Sequence, residues 1–551
     1  MHASPHPGQG HGPGHGPDRP GPHGPPQAGP YGRLNPYGGD RHRVAPAGPG
    51  TPPGQGGPPG RRSTGRPAAL LAAGLAALLA IGGGTWFALS GDDKDSGGNR
   101  PIAGASSGGP SGSTDDGEQG KAGLPGASAP DAAKAARLNA ERKPGDAQVL
   151  WLRKNDVDLP SLGGDVFGPW LVGDTIVTAM YRSVTAHSVA DGTLKWSLPL
   201  GTGICRAPQH ASDDDKIVLA VQERPGAKAD ECRQLRMIDL RTGKQGWQQK
   251  IKEDGLFDFF YDYSTTITGN TVTAGRYGHS TAYRLSDGKP LWGKWDGGED
   301  VCRPYAYASE APVLVAAVNC PTDDADNPQE EVHGIDPATG ASRWKYRLPR
   351  GYVVEHVYSV RPLVVYAVDR AKDRRGVLVL NDDGTKRSSL RGQDQYANGC
   401  SEDVADQGNL QTCQVVADDD TLYMATGAPD GREGANSIVA FDLDTGAEVR
   451  RIKAPGVHTV MPLRMEGNRL LVRIMPTITT DEPGALASVG PGATELHVLL
   501  QLPASTVKTE RMFIGYRGVY ADGRYFLVDD AVVAENDAEE KERETMMAIG
   551  E

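Results

Sequence analysis

The sequence predicts an all-β fold over residues 146–551, namely an eight-bladed β-propeller. Two observations predict this class. A Gly that follows Asp or Thr ends a β-rich segment at intervals of 44 to 62 residues, and a Trp often stands four places after that Gly. Strand-rich repeats of roughly 40 to 50 residues are typical of propeller blades, in which each repeat forms one four-stranded sheet.

Each repeat is predicted to contain four antiparallel strands, A to D. Asp-Gly and Thr-Gly between two strands favour tight hairpins, because glycine adopts the positive φ that such turns need. A further β-rich segment precedes each marked one, as "KIVLAVQE" precedes "LRMIDLRTG". The glycine therefore lies in the turn between strands C and D. The glycines that mark this turn are Gly192, Gly243, Gly288, Gly340, Gly384 and Gly446.

The tryptophans four places beyond these turns are predicted to be structural. Such a residue lies on the outer strand D, where its ring can fill the gap between two neighbouring blades. Trp151 stands four places after Ala147 and has the same offset. We therefore predict that five docking residues hold the blades together: Trp151, Trp196, Trp247, Trp292 and Trp344.

Counting the strand-A segments gives eight blades, the last of which lacks a D strand. The first strands are predicted to begin near Phe167, Ile204, Phe257, Val301, Tyr352, Thr412, His458 and Gly515. The segment "DAQVLWLRKND" near Trp151 has the pattern of the missing strand. We predict that it completes the last blade and closes the ring, which removes the open sheet edges between the first and last blades.

The 145 residues before the propeller divide into four segments. Residues 1–66 are rich in Gly, Pro and His and are predicted to be disordered. Residues 67–90 carry no charge and are long enough for a transmembrane helix. Residues 91–130 form a flexible linker, and residues 131–145 a short helix or lead-in that starts at Asp131.

Charges around the apolar segment predict its orientation. Arg61, Arg62 and Arg66 precede it, and Asp92 and Asp93 follow it. The positive-inside rule therefore predicts a single-pass protein of the plasma membrane with a cytoplasmic N-terminus and an extracytoplasmic propeller. A cleaved signal peptide is the alternative, but the long preceding arm and the long apolar segment fit an uncleaved anchor better.

The net charge limits the partners of the exported part. The whole chain carries −12, and the arm carries seven Arg and two Asp, so residues 91–551 carry −17. Such a surface repels phosphate backbones and anionic headgroups. Nucleic acid is therefore excluded as a partner, and the membrane is contacted through the transmembrane helix alone.

All six cysteines lie beyond the apolar segment, which is typical of disulfides in an exported domain. The strand assignment places the members of each pair at the same end of a blade. It predicts the disulfides Cys205–Cys232, Cys302–Cys320 and Cys400–Cys413. No C-x-x-C pair is present, so neither a zinc site nor a redox motif is predicted.

Two repeats allow a comparison with a known family. "IDLRTGKQGW" and "GIDPATGASRW" resemble the tryptophan-docking repeat A-x-D-x-x-T-G-x-x-x-W of pyrroloquinoline-quinone-like β-propellers, and the anchor suggests a membrane-anchored bacterial type. Two other repeats depart from the pattern, since Ser388 and Arg450 occupy the tryptophan place. The residues that match are Asp239, Thr242, Gly243, Trp247, Asp336, Thr339, Gly340 and Trp344. The resemblance covers residues 146–551 and implies the fold.

The resemblance implies two different functions, because the family includes both enzymes and scaffold proteins. Quinone-dependent dehydrogenases of this fold stack their cofactor on a disulfide of adjacent cysteines beside a Ca²⁺ site, and this sequence has no adjacent cysteines. The propeller lipoprotein of the outer-membrane barrel assembly machine is a scaffold, but its lipidated cysteine is also missing here. We therefore predict a non-enzymatic binding or scaffold protein without cofactor or metal. The alternative is a quinone-dependent dehydrogenase or sugar oxidoreductase.

The predicted ligand site lies at the end of the propeller that carries the B–C connections. Several of these connections are long and irregular, such as "PTDDADNPQ" and "TTDEPGALASVGPGA", and the disulfides lie at the same end. Rigid loops lose less entropy on binding, although disulfides can also serve only to resist proteolysis. The candidate residues for a protein, peptide or glycan ligand outside the cell are Asp258, Tyr261, Tyr305 and His356.

Overall fold

The computed structural model describes residues 129–160, 163–225, 232–252, 264–293, 301–324, 327–391, 400, 409–427, 435–513 and 517–551. Within these residues the chain forms eight antiparallel sheets, which confirms the predicted eight-bladed propeller. Each sheet is one blade. We number the blades along the chain and call their strands A to D from the first to the last.

The first four blades follow one another directly in the chain, and each uses four consecutive strands. Blade 1 contains β2 (Gly163–Val172), β3 (Thr175–Met180), β4 (Ser183–Ser188) and β5 (Leu194–Pro199). Blade 2 contains β6 (Ile204–Arg206), β7 (Lys216–Val221), β8 (Gln234–Asp239) and β9 (Lys244–Lys250). Blade 3 contains β10 (Ser264–Thr268), β11 (Thr271–Gly275), β12 (Thr281–Arg284) and β13 (Pro290–Trp292). Blade 4 contains β14 (Arg303–Glu310), β15 (Val313–Cys320), β16 (Gln329–Ile335) and β17 (Ser342–Arg347).

The next three blades repeat this arrangement. Blade 5 contains β18 (Val353–Ser359), β19 (Leu363–Asp369), β20 (Arg374–Leu380) and β21 (Lys386–Ser389). Blade 6 contains β22 (Val416–Ala417), β23 (Thr421–Ala425), β24 (Ser437–Asp442) and β25 (Glu448–Lys453). Blade 7 contains β26 (Val460–Glu466), β27 (Arg469–Ile474), β28 (Ala485–Val489) and β29 (His497–Gln501).

Blade 8 joins the two ends of the folded chain. Its strands A, B and C are β30 (Arg517–Ala521), β31 (Arg524–Val528) and β33 (Glu544–Gly550), and its strand D is β1 (Gln148–Lys154). The strand β1 pairs antiparallel with β33, with Trp151 opposite Ala548. The ring is thus closed by the N-terminal strand, as the sequence predicts. The remaining strand, β32 (Ala531–Val533), pairs with the inner strand of blade 1.

Helices are few and short in the described residues. The helix α1 (Ala132–Asn139) starts after Asp131, whose carboxylate accepts a hydrogen bond from the backbone N–H of Lys134 at 2.8 Å. This is the N-cap arrangement that satisfies a free N–H at a helix start. The other helices are α2 (Val507–Glu510) and α3 (Asp537–Glu542), with short 3-10 segments at Arg370–Lys372 and Ala504–Thr506.

The docking tryptophans each pack on the turn glycine of the next blade. The Trp247 Nε1 donates to the backbone O of Leu285 at 2.6 Å, and its ring covers Gly288, where an added Cβ would lie 2.6 Å from the ring. Only glycine leaves this space, and its φ of +71° is in the left-handed region. The same packing joins Trp151 to Gly192, Trp196 to Gly243, Trp292 to Gly340 and Trp344 to Gly384.

The acidic residue of the repeat organises the turn that receives the tryptophan. The Asp239 carboxylate accepts hydrogen bonds from the backbone N–H and the hydroxyl of Thr242, both at 3.0 Å. Asp442 holds Thr445 in the same way, with both distances at 2.7 Å. The D-x-x-T-G pattern is therefore a hairpin turn stabilised by a side chain, because the Asp carboxylate accepts the hydrogen bond of the Thr backbone N–H within the turn.

Packing between neighbouring blades forms the cores of the molecule. One buried cluster joins blades 4 and 5 through Tyr305, Val332, Val354 and Val365, and similar clusters lie between other pairs of blades. The predicted arm, apolar segment and linker over residues 1–128 lie outside the described residues. Within the described residues, no helix has the length and apolar character that crossing a membrane requires.

Candidate functional site

The two ends of the propeller carry different connections. The D–A and B–C connections emerge at one end, which we call the loop face, and the A–B and C–D turns emerge at the other, which we call the turn face. Most connections on the turn face have two to seven residues, such as 311–312 and 443–447. Connections on the loop face include 390–415, 475–484, 502–516 and 529–543. The loop face therefore offers the more varied surface.

All three disulfides are present with the predicted pairing, and all lie at the loop face. Cys302 precedes β14 and Cys320 ends the neighbouring β15, with 3.9 Å between their Cα atoms. The Cα atoms of Cys205 and Cys232 are 6.2 Å apart, and those of Cys400 and Cys413 are 3.7 Å apart. Each bond joins two segments of the same face and restricts their movement.

The structure places the four predicted ligand residues in different environments. Asp258 and Tyr261 lie outside the described residues. Tyr305 is only 5 % exposed, and its hydroxyl donates to a Glu330 carboxylate oxygen at 2.9 Å while lying 3.1 Å from the backbone O of Val354. The Tyr305 side chain is thus buried between blades 4 and 5 instead of lining an open channel mouth. A ligand role for these residues stays a prediction.

Glu330 is the buried partner that the sequence does not reveal. Its side chain is fully buried, and the backbone N–H of Val354 donates to it at 2.7 Å in addition to the Tyr305 hydroxyl. Burial raises the pKa of Glu330 to about 7, although these hydrogen bonds favour the ionised form. The group links blade 4 to the inner strand of blade 5, so its protonation is coupled to the contact between the two blades.

His356 belongs to a stack of aromatic side chains on blade 5. Its ring lies parallel to that of Tyr366 with 6.3 Å between centroids, and Tyr366 stacks in turn on Tyr358 at 5.3 Å. The His356 Nδ1 is 3.3 Å from the hydroxyl of Thr412, which directly precedes Cys413. Burial lowers the pKa of His356, so this ring is neutral at physiological pH.

The inner edges of blades 4 and 5 are covered by the chain itself. Asn409 forms a parallel bridge with Tyr307 of β14, and the backbone N–H of Val357 in β18 donates to the backbone O of Leu410 at 2.7 Å. The strands β14 and β18 are the inner strands of their blades. The segment Asn409–Gln411, which we call the inner segment, therefore lies inside the ring against them.

These residues do not fit a quinone cofactor of the kind that the family resemblance implies. The inner segment occupies the channel wall at blades 4 and 5, and the docking tryptophans are engaged with turn glycines of neighbouring blades. The disulfides of the described residues join cysteines that are at least 13 positions apart. The platform of two adjacent, disulfide-bonded cysteines is thus not formed in the part of the chain that the structure describes.

Two groups of potential metal ligands in the described residues consist mainly of oxidised cysteines. One combines His356 with Cys400 and Cys413, and the other combines Glu331 with Cys302 and Cys320. Thiolates bind metals, whereas these sulfur atoms are shared in disulfide bonds. Glu331 is also engaged by His333 at 2.8 Å and by Arg347 at 3.1 Å. Neither group has the donor set of a metal centre.

The loop face also carries most of the exposed large aliphatic side chains. Six such side chains are exposed in the described residues, and four of them lie in loop-face connections: Val301 (42 % exposed), Val457 (46 %), Ile478 (61 %) and Val533 (62 %). The remaining two, Val449 and Val498, lie on outer D strands. Contiguous exposed apolar patches mark protein interaction sites, and these four side chains are all on the loop face.

The turn face has a cleft of about 690 Å³ between blades 4, 5 and 6. Its lining includes Glu310, Arg361, Asp383 and Arg387. The Arg387 guanidinium is engaged with Asp444 at 2.7 Å and with Asp420 at 3.2 Å. The cleft is acidic, because its lining contains four carboxylates and the positive charge of Arg387 is already paired within the propeller.

The fold and the docking turns define the class of the protein as a closed eight-bladed β-propeller with PQQ-like repeats. Residues 136–297 match the family model described as "Outer membrane protein assembly factor BamB", which supports the resemblance to PQQ-like propellers. The matched residues contain the second half of helix α1, the closing strand β1, blades 1 and 2, and the described strands of blade 3.

Several solved structures are similar to this chain. BamB from Moraxella catarrhalis has 13% sequence identity and a TM-score of 0.37, with coverage of 69% of this chain and 94% of that chain. The β-propeller domain of Cps50 (Swd1) from Myceliophteria thermophila has 12% identity and a TM-score of 0.32, with coverage of 56% and 90%. The quinohemoprotein alcohol dehydrogenase ADHIIG from Pseudomonas putida HK5 has 12% identity and a TM-score of 0.37, with coverage of 77% and 82%. No curated protein matches the chain.

Proposed function

We propose that this chain is an extracytoplasmic binding or scaffold protein, held at the plasma membrane by a helix over residues 67–90, that binds a partner protein through its loop face. The difference between the two faces carries this proposal. The loop face combines the long connections, the three disulfides and the exposed aliphatic side chains. Disulfides lower the entropy that such loops lose when they bind.

A protein partner fits this face better than a small molecule does. The exposed side chains Val457, Ile478 and Val533 project from separate connections and do not surround a single described cavity. Small-molecule sites are concave and bury most of their ligand, whereas protein interfaces are broad and place aliphatic groups among polar ones. The match to a family described as an outer membrane protein assembly factor supports the same reading.

The competing function is a quinone-dependent dehydrogenase or sugar oxidoreductase. It is disfavoured by the inner segment, which covers the inner edges of blades 4 and 5. Purified protein incubated with pyrroloquinoline quinone and Ca²⁺ is expected to leave a redox dye unreduced with alcohols and aldose sugars. Dye reduction that depends on both additions would establish the oxidoreductase.

The proposal itself is tested by capture on the folded domain. Immobilised residues 131–551 are incubated with an extract of the cells that make the protein, and the retained proteins are identified by mass spectrometry. We expect one abundant partner whose retention is stoichiometric and saturable. The control is the same domain after reduction and alkylation in denaturant, which keeps the composition and charge of the chain and removes the fold.

A further inference from the structure

A serine, a histidine and a glutamate of blade 4 form a continuous chain of hydrogen-bonded side chains. The Nδ1 atom of His333 in β16 lies 2.9 Å from the Oγ of Ser342 in β17, and its Nε2 atom lies 2.8 Å from the Oε2 of Glu331. Both distances are within hydrogen-bond reach. The order of the groups, from hydroxyl to imidazole to carboxylate, is that of a nucleophile, its general base and the group that orients the base.

The carboxylate determines which nitrogen of His333 carries the proton. Burial raises the pKa of Glu331, but hydrogen bonds from His333 and Arg347 outweigh this effect and keep the carboxylate ionised. An ionised carboxylate only accepts hydrogen bonds, so the Nε2 of His333 carries a hydrogen and donates to it. The Nδ1 atom is left as an acceptor, and the hydroxyl of Ser342 donates to it. The imidazole is thus oriented to take the proton of this hydroxyl.

The base and its orienting group are buried, whereas the nucleophile is accessible. His333 is only 4 % exposed, and burial lowers its pKa, so the ring is neutral at physiological pH. Glu331 is also buried, and its other oxygen accepts from the Nε and Nη2 atoms of Arg347, both at 3.1 Å. Ser342 is exposed to solvent at the start of β17. A neutral, fixed base therefore stands behind a hydroxyl that other molecules can reach.

The repeat architecture does not require this chain of groups. A β-bulge in the C–D hairpin of blade 4 places Ser342 beside His333, and the same bulge occurs in blades 1 and 6. The positions equivalent to His333 and Ser342 are occupied by Thr185 and Leu194 in blade 1 and by Val439 and Glu448 in blade 6. Those blades form the same hairpin without a hydroxyl–imidazole pair, so the pair in blade 4 is not needed for the fold.

A positive charge lies on the same face of the hairpin. Lys345 of β17 is directly opposite His333 in the strand register, so the two side chains project from the same face. Lys345 is exposed, and its charge contributes to the lowered pKa of His333. A cation on this face favours the negative charge that develops on a carbonyl oxygen when a neighbouring hydroxyl attacks the carbonyl carbon.

We propose that Ser342 is a nucleophile that takes the acyl group of a small ester, with His333 as the general base and Glu331 as a positioning residue. The Oγ of Ser342 bonds to the carbonyl carbon, and the bond from that carbon to the leaving oxygen breaks. The hydroxyl proton passes to the Nδ1 of His333 and then to the leaving oxygen, which departs as an alcohol or phenol. The product is an acyl-serine. Ser342 lies on an outer strand next to the turn face, so this site does not depend on the loop-face surface proposed above.

The test uses the full chain and p-nitrophenyl acetate as the acyl donor. Peptide mass spectrometry follows the acetylation of individual residues over time. The internal control is Ser286, an exposed serine of blade 3 whose Oγ accepts from the side-chain amide of Asn270. We expect Ser342 to be acetylated at least tenfold faster than Ser286, because only Ser342 is paired with a general base. Equal rates at the two serines, or acetylation of lysines without Ser342, would overturn the proposal.

Variants separate the roles of the base and the positioning residue. His333→Gln removes the base, so the ratio of the Ser342 rate to the Ser286 rate should fall at least tenfold. Glu331→Gln should also lower this ratio, and Glu331→Asp, which restores a carboxylate, should recover part of it. The comparison within the unchanged chain stays decisive if a variant folds poorly. A ratio that His333→Gln leaves unchanged would contradict the proposal, and a lowered ratio supports it.

Discussion

The hydroxyl of Ser388 donates a 2.6 Å hydrogen bond to the backbone O of Leu443. Leu443 stands three places before Gly446, just as Leu285 stands three places before Gly288. Ser388 therefore makes the hydrogen bond that Trp247 makes at 2.6 Å in an earlier blade. Arg450, which occupies the tryptophan place of the next repeat, makes comparable contacts. Its guanidinium donates to the backbone O of Gly490 at 3.2 Å and to that of Ala493 at 2.9 Å. The contact between blades is retained at this position while the side chain that makes it changes.

Replacing Ser388 should show what this hydrogen bond contributes. Ser388→Ala leaves the buried backbone O of Leu443 without its side-chain donor, so we expect a loss of about 1–3 kcal/mol in the free energy of unfolding. Chemical denaturation measures this loss, and we expect the slope of unfolding free energy against denaturant concentration to stay unchanged. Ser389→Ala is the matched control, because it makes the same substitution at the next residue, whereas the hydrogen bond to Leu443 comes from Ser388. An equal loss in the two variants would show that the hydrogen bond has no specific role.

The steric fit of tryptophan on glycine is tested in blade 3. Gly288 and Gly269 both have positive φ, +71° and +55°, but an added Cβ meets the Trp247 ring at 2.6 Å only at Gly288. Gly269→Ala should cost only the left-handed strain of roughly 1–2 kcal/mol. Gly288→Ala adds the displacement of the ring and should lower the melting temperature clearly further. Equal melting temperatures would contradict the docking role.

Removal of the ring itself should be more costly. Trp247→Ala opens a cavity between blades 2 and 3 and deletes the hydrogen bond to Leu285, so we expect a loss of about 3–5 kcal/mol in the free energy of unfolding. Trp247→Phe restores much of the volume without the N–H and should recover part of the loss. Calorimetry measures both variants. A Trp247→Ala variant with an unchanged melting temperature would show that the residue does not hold the blades together.

Burial of Glu330 predicts a pH dependence of stability. Its pKa is raised to about 7 in the folded protein from 4.5, so the unfolded chain loses this proton first as the pH rises. Between pH 4.5 and 7 the folded state therefore binds more protons, and the group lowers stability by up to about 1.4 kcal/mol per pH unit. Glu330→Gln removes this dependence. The stability of the variant relative to the unchanged chain should thus increase from pH 4.5 to 7.

The neighbouring residue supplies the control for this pH dependence. Burial raises the pKa of Glu331, but hydrogen bonds from His333 and Arg347 outweigh it and leave the pKa below its usual value. The stabilising contribution of Glu331 is therefore present above its unfolded pKa and is lost as the pH falls through its folded pKa. Denaturation of Glu331→Gln at the same pH values should not show the gain toward pH 7. If both variants gain equally, the dependence does not arise from Glu330.

The sequence predicts the parts of this structure that depend on local repeats. The turn glycines, the docking tryptophans and the closing strand around Trp151 are each marked by a fixed spacing of four residues. The disulfides follow from the same strand assignment, because Cys302 and Cys320 start and end neighbouring strands. Local sequence spacing is enough to predict a contact when that contact joins equivalent positions of adjacent blades.

The environment of the candidate site could not be predicted in this way. A bulge between Pro304 and Ala306 changes the side of β14 on which the following residues lie, so the alternation of a regular strand misplaces Tyr305. Leu410, which belongs to the same buried cluster as Tyr305, comes from a connection about 100 residues later in the chain. The sequence motif is defined by its tryptophan. It therefore could not predict that Ser388 and Arg450, which occupy the tryptophan place, also make contacts between blades.

The central claim, that the loop face binds the partner, is tested most directly by comparing variants of the two faces. One variant carries Val457→Asp, Ile478→Asp and Val533→Asp on the loop face, and the other carries Asp191→Lys and Asp287→Lys on the turn face. All five side chains lie at the surface, so both proteins should fold. The measurement is the affinity of each immobilised domain for the partner that the unchanged domain captures. We predict at least a tenfold loss for the loop-face variant and no change for the turn-face variant. A loss confined to the turn-face variant would contradict the account.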